Sequence, residues 1–171
     1  ARGKDYLDLV IDKERLPEFK QFNPEVILDS DPVAPLRGKG NLGAYHTYYE
    51  MLTDMQALAA QNPAIMKIIN LGPAWEKAIN VSGADRDLIV IKISDNVEQN
   101  ENEPQILLDA AHHAREIITP EIIIDVAKKL ITGYNSGNPE MKYYITEREI
   151  YLVPIVNPDG HTYVANVNGM W

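Results

Sequence analysis

A strand, a short polar turn and a long amphipathic helix follow one another, and this succession most constrains the fold. Residues 105–110 (QILLDA) are mostly apolar and end in small side chains, which predicts a strand. We expect the helix to begin with Thr119 as a capping hydroxyl and Pro120 at the first helical position, and to stop at Gly133 and Gly137. Between these ends, apolar residues recur at helical spacing at Ile123, Val126, Ala127, Leu130, Ile131 and Tyr134.

The turn between these two elements carries His113 and Glu116, three positions apart. Residues i and i+3 of one helical turn lie on the same side, with Cβ atoms about 5–6 Å apart. Imidazole nitrogen and carboxylate oxygen both suit Zn²⁺, and a catalytic zinc site has three protein ligands and an open position for water. Because open α/β sheets hold ligands at this end of their strands, we predict that His113 and Glu116 bind a metal ion.

Further elements are predicted on both sides of this motif. Residues 45–60 carry an apolar stripe at helical spacing, and residues 66–71 and 88–93 have the composition of strands joined as a hairpin. Residues 149–156 predict another strand, and Asn157-Pro158-Asp159-Gly160 follows it with the composition of a turn. In such a turn, the Asn157 and Asp159 side chains are expected to bond to their own backbone.

Together these stretches resemble the zinc carboxypeptidase family, in particular its bacterial carboxypeptidase T-like branch. The resemblance covers roughly residues 43–171, in the family's order and approximate spacing. It implies an α/β fold, a mixed β-sheet flanked by helices on both faces, of which this chain supplies the first half. It also implies that His113 and Glu116 are two of three zinc ligands and that Arg115 helps to hold the substrate. The matching segments are residues 92–96 with the acidic loop after them, 112–116, 157–160 and the closing Met170-Trp171.

The resemblance places the family's second zinc histidine, its general-base glutamate and its carboxylate-gripping residues beyond Trp171. We therefore interpret the chain as an incomplete part of the catalytic domain, with no catalytic residue of its own and a third zinc ligand expected beyond its end. The remaining histidines are His46, His112 and His161. A third ligand from within the chain, His161 or His112, is the alternative.

The implied activity is that of a zinc-dependent metallocarboxypeptidase, which hydrolyses C-terminal residues of peptides through a metal-activated water. The planar donors of Arg115 suit substrate oxygens, and a salt bridge to an acid such as Glu121 is its alternative role. Two other functions stay open: a zinc deacylase of small acyl amino acids, and a non-catalytic fragment or binding module with the same fold. The expected partners are peptide C-termini and the missing C-terminal half of the domain.

Three segments are predicted along the chain. Residues 1–30 form a strand-helix-strand unit too small to bury its own core, similar to the tail end of the inhibitory propeptide found before many secreted carboxypeptidases. Residues 31–43 predict an exposed linker rich in proline and glycine, and residues 44–171 the first half of the catalytic domain. The resemblance thus implies a secreted or extracellular zymogen.

Charge and composition bear on which partners, crosslinks and ions the chain can have. The net charge of −9 disfavours nucleic acid, whose phosphates need a basic surface. The absence of cysteine excludes disulfides and thiolate zinc sites, and no apolar run is long enough to predict a membrane span. Glu98, Glu101 and Glu103 form an acidic loop. A structural Ca²⁺ would find there the oxygen ligands it prefers, and an ion-free solvated loop is the alternative.

Overall fold

The computed structural model describes residues 16–19 and 42–167. Contacts group the chain into two units, residues 1–32 and 33–171. In the first unit the described element is the short helix α1, Leu16–Phe19, which lies within the helix predicted there. The two strands predicted in residues 1–30, most of the predicted linker and the closing Met170-Trp171 lie outside the described residues.

The described part of the second unit combines helices with one mixed sheet. The strands lie in the order β1-β2-β4-β3. β2 pairs antiparallel with both β1 and β4, whereas β3 pairs parallel with β4. This arrangement confirms the predicted mixed α/β sheet. In chain order the elements are α2 (Tyr48–Gln61), β1 (Met66–Pro73), α3 (Trp75–Ala78), β2 (Asp87–Ile93), β3 (Gln105–Asp109), α4 (Ile118–Asn135), α5 (Pro139–Thr146), β4 (Glu149–Val153) and α6 (Pro158–Asn166).

The parallel pairing of β3 and β4 requires a long crossover, which α4 and α5 supply. Gly133 does not stop α4, contrary to the prediction. A Cβ atom at Gly133 would clash with Cγ of Met141, so the glycine lets α5 approach α4 closely. The helix ends at Asn135, and Gly137 follows it with a φ of +81°, a conformation that glycine adopts without a Cβ penalty.

The main hydrophobic core lies between the sheet and helices α2, α4 and α5. Ile89, Ile91 and Ile93 alternate along β2 and point to the same face of the sheet. The apolar stripe predicted for residues 45–60 packs against that face. Fully burying an aliphatic side chain of this kind contributes about 1.5–3 kcal/mol, so this layer is the main support of the sheet. Its most buried side chains include Met51, Met55, Ile91, Ile93, Ile131, Ile145 and Leu152.

A buried salt bridge lies on the opposite side of β2 and β4. Nζ of Lys92 is 2.7 Å from Oε1 of Glu149, and the two side chains are 5% and 0% exposed. The Lys92 hydrogen bond is the main cause that lowers the pKa of Glu149 to about 2. Both residues also bond the loop between β2 and β3: Lys92 donates to the Gln99 carbonyl, and Glu149 accepts from the Glu101 N–H. The salt bridge therefore fastens this loop to the sheet.

β3 forms one edge of the described sheet and is exposed along its whole length. Ile106, Leu107 and Leu108 are 37%, 62% and 39% exposed, so apolar side chains reach solvent on both faces of the strand. Apolar residues on both faces are typical of an interior strand, and an edge strand presents unpaired N–H and C=O groups. β3 thus has the composition of an interior strand in an edge position.

Candidate metal centre

His113 and Glu116 lie in the connection between β3 and α4, as predicted. Nδ1 of His113 is 3.1 Å from Oε1 of Glu116. The Glu116 N–H donates to the His113 carbonyl at 3.0 Å, so one backbone turn carries both side chains. The side chains are 74% and 48% exposed, which leaves their donor atoms accessible from solvent.

Two buried apolar residues, one between the pair and one directly after it, orient these two side chains outward. Ala114 and Ile117 are 3% and 9% exposed and pack with Val164 of α6 in a second, smaller core. Because the inward positions of the turn are apolar, the polar positions face solvent. An imidazole nitrogen and a carboxylate oxygen therefore converge within 3.1 Å, and this donor pair fits a single zinc ion.

The entry to the turn has an unusual backbone conformation. Ala111 has a φ of +53°, which is uncommon for a residue with a Cβ. Its carbonyl accepts from the Asn157 N–H at 3.2 Å, and its own N–H donates to Oγ1 of Thr119 at 3.0 Å. The prediction that Thr119 caps α4 is therefore wrong. The helix begins at Ile118, and no side chain caps its start, because the Thr119 hydroxyl bonds the turn instead.

The other histidines lie elsewhere. Nε2 of His112 is 3.2 Å from Asp109, and Nδ1 of His46 is 2.7 Å from Glu121. His161 is fully buried in α6, and neither ring nitrogen has a hydrogen-bond partner within the described residues. Burial lowers the pKa of His161 to about 4, although the nearby Glu121 carboxylate partly opposes this. In the described part of the chain, no third histidine or carboxylate joins His113 and Glu116 in a metal-binding group.

Arg115 is exposed between the two proposed ligands. Glu121, its alternative partner, instead accepts hydrogen bonds from the backbone N–H and from Nδ1 of His46, both at 2.7 Å. Within residues 42–167, Arg115 forms no salt bridge. Its guanidinium is thus available to a ligand beside the His113–Glu116 pair.

Residues 157–160 do not form an isolated turn, contrary to the prediction. Pro158 is the first residue of α6, where a missing N–H costs no helical hydrogen bond. Asn157 caps the helix, since its Oδ1 accepts from the Gly160 N–H at 2.9 Å. Its Nδ2 donates to the His112 carbonyl at 3.4 Å. The segment therefore links the start of α6 to the metal-binding turn.

Asp159 also differs from its prediction, because it does not bond its own backbone. Its carboxylate accepts from Nε of Arg86 at 2.8 Å and from the Glu76 N–H at 2.9 Å. Arg86 is 6% exposed and also pairs with the Glu76 carboxylate. Arg86 is not among the site residues predicted from the sequence. The only feature of the sequence that marks it is a positive charge just before the largely apolar strand β2. A buried guanidinium requires such partners, so Asp159 has a structural role.

The acidic loop brings together Asp95, Glu101 and Glu103, whose nearest carboxylate oxygens lie within 4.8 Å of one another. Glu98 is not in this group and pairs with Lys67. Burial first, and then the Glu101 and Asp95 carboxylates, raise the pKa of Glu103. Exposed acidic groups are common without an ion, so the Ca²⁺ expectation stays a prediction.

Comparison with known proteins agrees with the fold. The family model for zinc carboxypeptidases matches residues 51–171. A zinc carboxypeptidase of Saccharothrix mutabilis subsp. capreolus is 34% identical over 70% of this chain and 25% of its own length. Carboxypeptidase A2 of Rattus norvegicus is 33% identical over 100% of this chain and 37% of its own length. Among solved structures, carboxypeptidase A from Helicoverpa armigera superposes with a TM-score of 0.62 at 21% identity, over 74% of this chain and 28% of that one.

The chain belongs to the zinc carboxypeptidase family. Its relatives are carboxypeptidases, which are hydrolases and metallopeptidases. The chain spans between a quarter and two fifths of the length of these curated relatives. No helix in the described ranges, 16–19 and 42–167, has the length and apolar character needed to cross a membrane.

Proposed function

We propose that the protein is a zinc-dependent metallocarboxypeptidase that removes C-terminal residues from peptides. The observation that carries this proposal is the His113–Glu116 pair, whose donor atoms lie 3.1 Å apart on an exposed turn. Membership of the zinc carboxypeptidase family supports the same reading. It also favours peptide substrates over the small acyl amino acids of the alternative deacylase.

In this proposal His113 and Glu116 supply two protein ligands, and a third comes from outside the described residues. When bound, zinc polarises a carbonyl group and lowers the pKa of a coordinated water. Because metal ligands bind in their deprotonated forms, binding at a site of this kind depends on pH. The proton acceptor is a glutamate that this chain does not contain.

Arg115 is the substrate-binding residue of the proposal. Its guanidinium is exposed beside the metal-binding pair and has no carboxylate partner among the described residues. The five N–H donors of an arginine match carbonyl or carboxylate oxygens in a planar fork. Arg115 would hold the peptide backbone beside the metal.

The partner is the rest of the catalytic domain. The exposed apolar strand β3 supports this. A further strand would pair with its free edge, and further helices would cover its apolar side chains. The partial coverage of the curated relatives supports it as well.

Secretion as a zymogen is also proposed, from the resemblance of residues 1–30 to a propeptide. N-terminal sequencing of protein from culture medium tests it, and a protein confined to cells would contradict it.

Zinc titration of the 171-residue chain at pH 7 tests the metal centre. We expect weak 1:1 binding, because two protein ligands are present, and at least a roughly tenfold loss of affinity in His113→Ala. His112→Ala is the matched control, since His112 is the adjacent residue and contacts Asp109 instead. Isothermal titration calorimetry measures both the affinity and the stoichiometry.

Equal binding by wild type and His113→Ala would refute the metal centre. Tight binding that either His161→Phe or His112→Ala abolishes would instead establish a third ligand within the chain. Calcium added to the same protein tests the acidic loop. A calcium-dependent rise in melting temperature that Glu103→Gln removes would establish a calcium site, and an unchanged melting temperature would establish the ion-free loop.

Peptide hydrolysis tests the activity. We expect the 171-residue chain with zinc to release no amino acid from a peptide, because the proposed general base is absent from it. The longer product of the same gene should release single C-terminal residues, which mass spectrometry of the products detects. Loss of that activity in His113→Ala, with activity kept in His112→Ala, assigns it to this site. Release of an acyl group without peptide cleavage would favour the deacylase.

A further inference from the structure

The two ends of the metal-binding turn meet at one hydroxyl group. Oγ1 of Thr119 accepts the Ala111 N–H at 3.0 Å and donates to the Glu116 carbonyl at 2.8 Å. Ala111 enters the turn, and Glu116 is the second proposed ligand. A single side chain therefore ties the start of the turn to the residue whose carboxylate must face the metal.

Ala111, the residue that enters the turn, has a backbone conformation that requires hydrogen bonds to hold it. The left-handed conformation of Ala111 costs roughly 1–2 kcal/mol for a residue with a Cβ, and it persists where the surroundings determine it. The Asn157 N–H holds the carbonyl side of Ala111, and the Thr119 hydroxyl holds its amide side. Of these two contacts, only the one from Thr119 extends to Glu116.

The hydroxyl has no role in the helix itself. Thr119 is the second residue of α4, and the helix has no side-chain cap. Both of its hydrogen bonds go to the turn that precedes α4. In a helix the threonine side chain has two favoured χ1 rotamers, because its hydroxyl can bond a carbonyl three or four residues earlier. The hydrogen bonds to Glu116 and Ala111 hold the Thr119 hydroxyl in one position. Through these two hydrogen bonds, Thr119 restrains the turn relative to α4.

We infer that Thr119 is a positioning residue that holds Glu116 and His113 in the geometry that binds the metal ion. The inference rests on the proposed function, since it concerns the same metal centre. Partners that hydrogen-bond the ligating side chains directly are worth roughly 10–100-fold in metal affinity. Thr119 bonds the Glu116 carbonyl, which also accepts from the Thr119 N–H at 2.9 Å, so its contribution should lie at the low end of that range. Thr119 acts through the Glu116 backbone and does not itself contact the metal.

Zinc and cobalt affinities of the 171-residue chain, measured by competition with a chromophoric chelator, test this inference. Thr119→Val replaces the hydroxyl with a methyl group of similar size, and we expect roughly tenfold weaker binding. Thr119→Ser keeps the hydroxyl and should restore affinity to within a few-fold of wild type. Thr53→Val is the matched control, because the Thr53 hydroxyl donates only to the Tyr49 carbonyl within α2.

The cobalt absorption spectrum reports ligand geometry, which a general loss of stability would not change. We expect an altered spectrum in Thr119→Val and a wild-type spectrum in Thr119→Ser and Thr53→Val. If Thr119→Val does not fold, Thr119→Ala removes the same hydroxyl without adding an atom. Equal affinity and an identical spectrum in wild type and the hydroxyl-free variant would overturn the inference alone. Wild type without His113-dependent metal binding would overturn the proposed function as well.

Discussion

Replacing Lys92 with methionine is expected to lower the free energy of unfolding by about 3–5 kcal/mol, since breaking a buried ion pair leaves an uncompensated charge. Glu149 is 0% exposed and would lose the cation 2.7 Å from its carboxylate. The Gln99 carbonyl would lose its donor in the same variant. Urea unfolding monitored by circular dichroism at pH 7 measures the loss.

Lys67→Met is the matched control for this experiment. Lys67 lies directly opposite Lys92 in the antiparallel β1–β2 pair. It pairs with Glu98, which is 69% exposed, so its removal should cost no more than about 1 kcal/mol. An equal loss of unfolding free energy in the two variants would contradict the prediction, because it would show that burial does not increase the cost of breaking the Lys92–Glu149 pair.

The same ion pair predicts a dependence on acid. Because the pKa of Glu149 is lowered to about 2 in the folded protein, its contribution is present above the ordinary glutamate pKa of about 4.3. The contribution is lost as the pH falls from there through 2. Lys92→Met removes the main cause of the lowered pKa, so we expect stability in that variant to depend less on pH in this range.

His161 predicts a second and separate acid transition. Its pKa is about 4 in the folded protein, against an ordinary value of 6.5. Between these values the unfolded chain binds more protons, so stability rises with pH there. The full difference corresponds to about 3 kcal/mol, which is present above pH 6.5 and lost as the pH falls through 4.

His161→Phe removes the titrating ring and keeps an aromatic side chain in the buried site. We expect its stability to vary less than that of wild type between pH 7 and pH 4, as measured by urea unfolding at several pH values. His112→Gln is the control, because it removes a histidine ring from a position that is 58% exposed and outside the buried site. Identical pH profiles for wild type and His161→Phe would contradict the prediction.

Much of the fold could be predicted from periodicity. The strand at β3, the long helix α4 and the antiparallel β1–β2 pair all follow from apolar spacing over short stretches. Two of the errors arise because a side chain bonds a residue outside its own local turn. Thr119 and Asp159 are residue types that often bond the neighbouring backbone. In the structure Thr119 bonds Ala111, and Asp159 bonds Arg86. Local patterns cannot identify such partners, because propensity describes only the neighbouring backbone.

The sequence by itself determined the candidate metal ligands, because His113 and Glu116 are three positions apart and one turn brings them together. Only the tertiary structure decided what surrounds them. The Lys92–Glu149 and Arg86–Asp159 pairs join residues 57 and 73 positions apart. The burial of His161 likewise depends on how α6 packs. Contacts over such separations depend on how the sheet and helices pack, because spacing along the chain brings together only residues within a turn or two of each other.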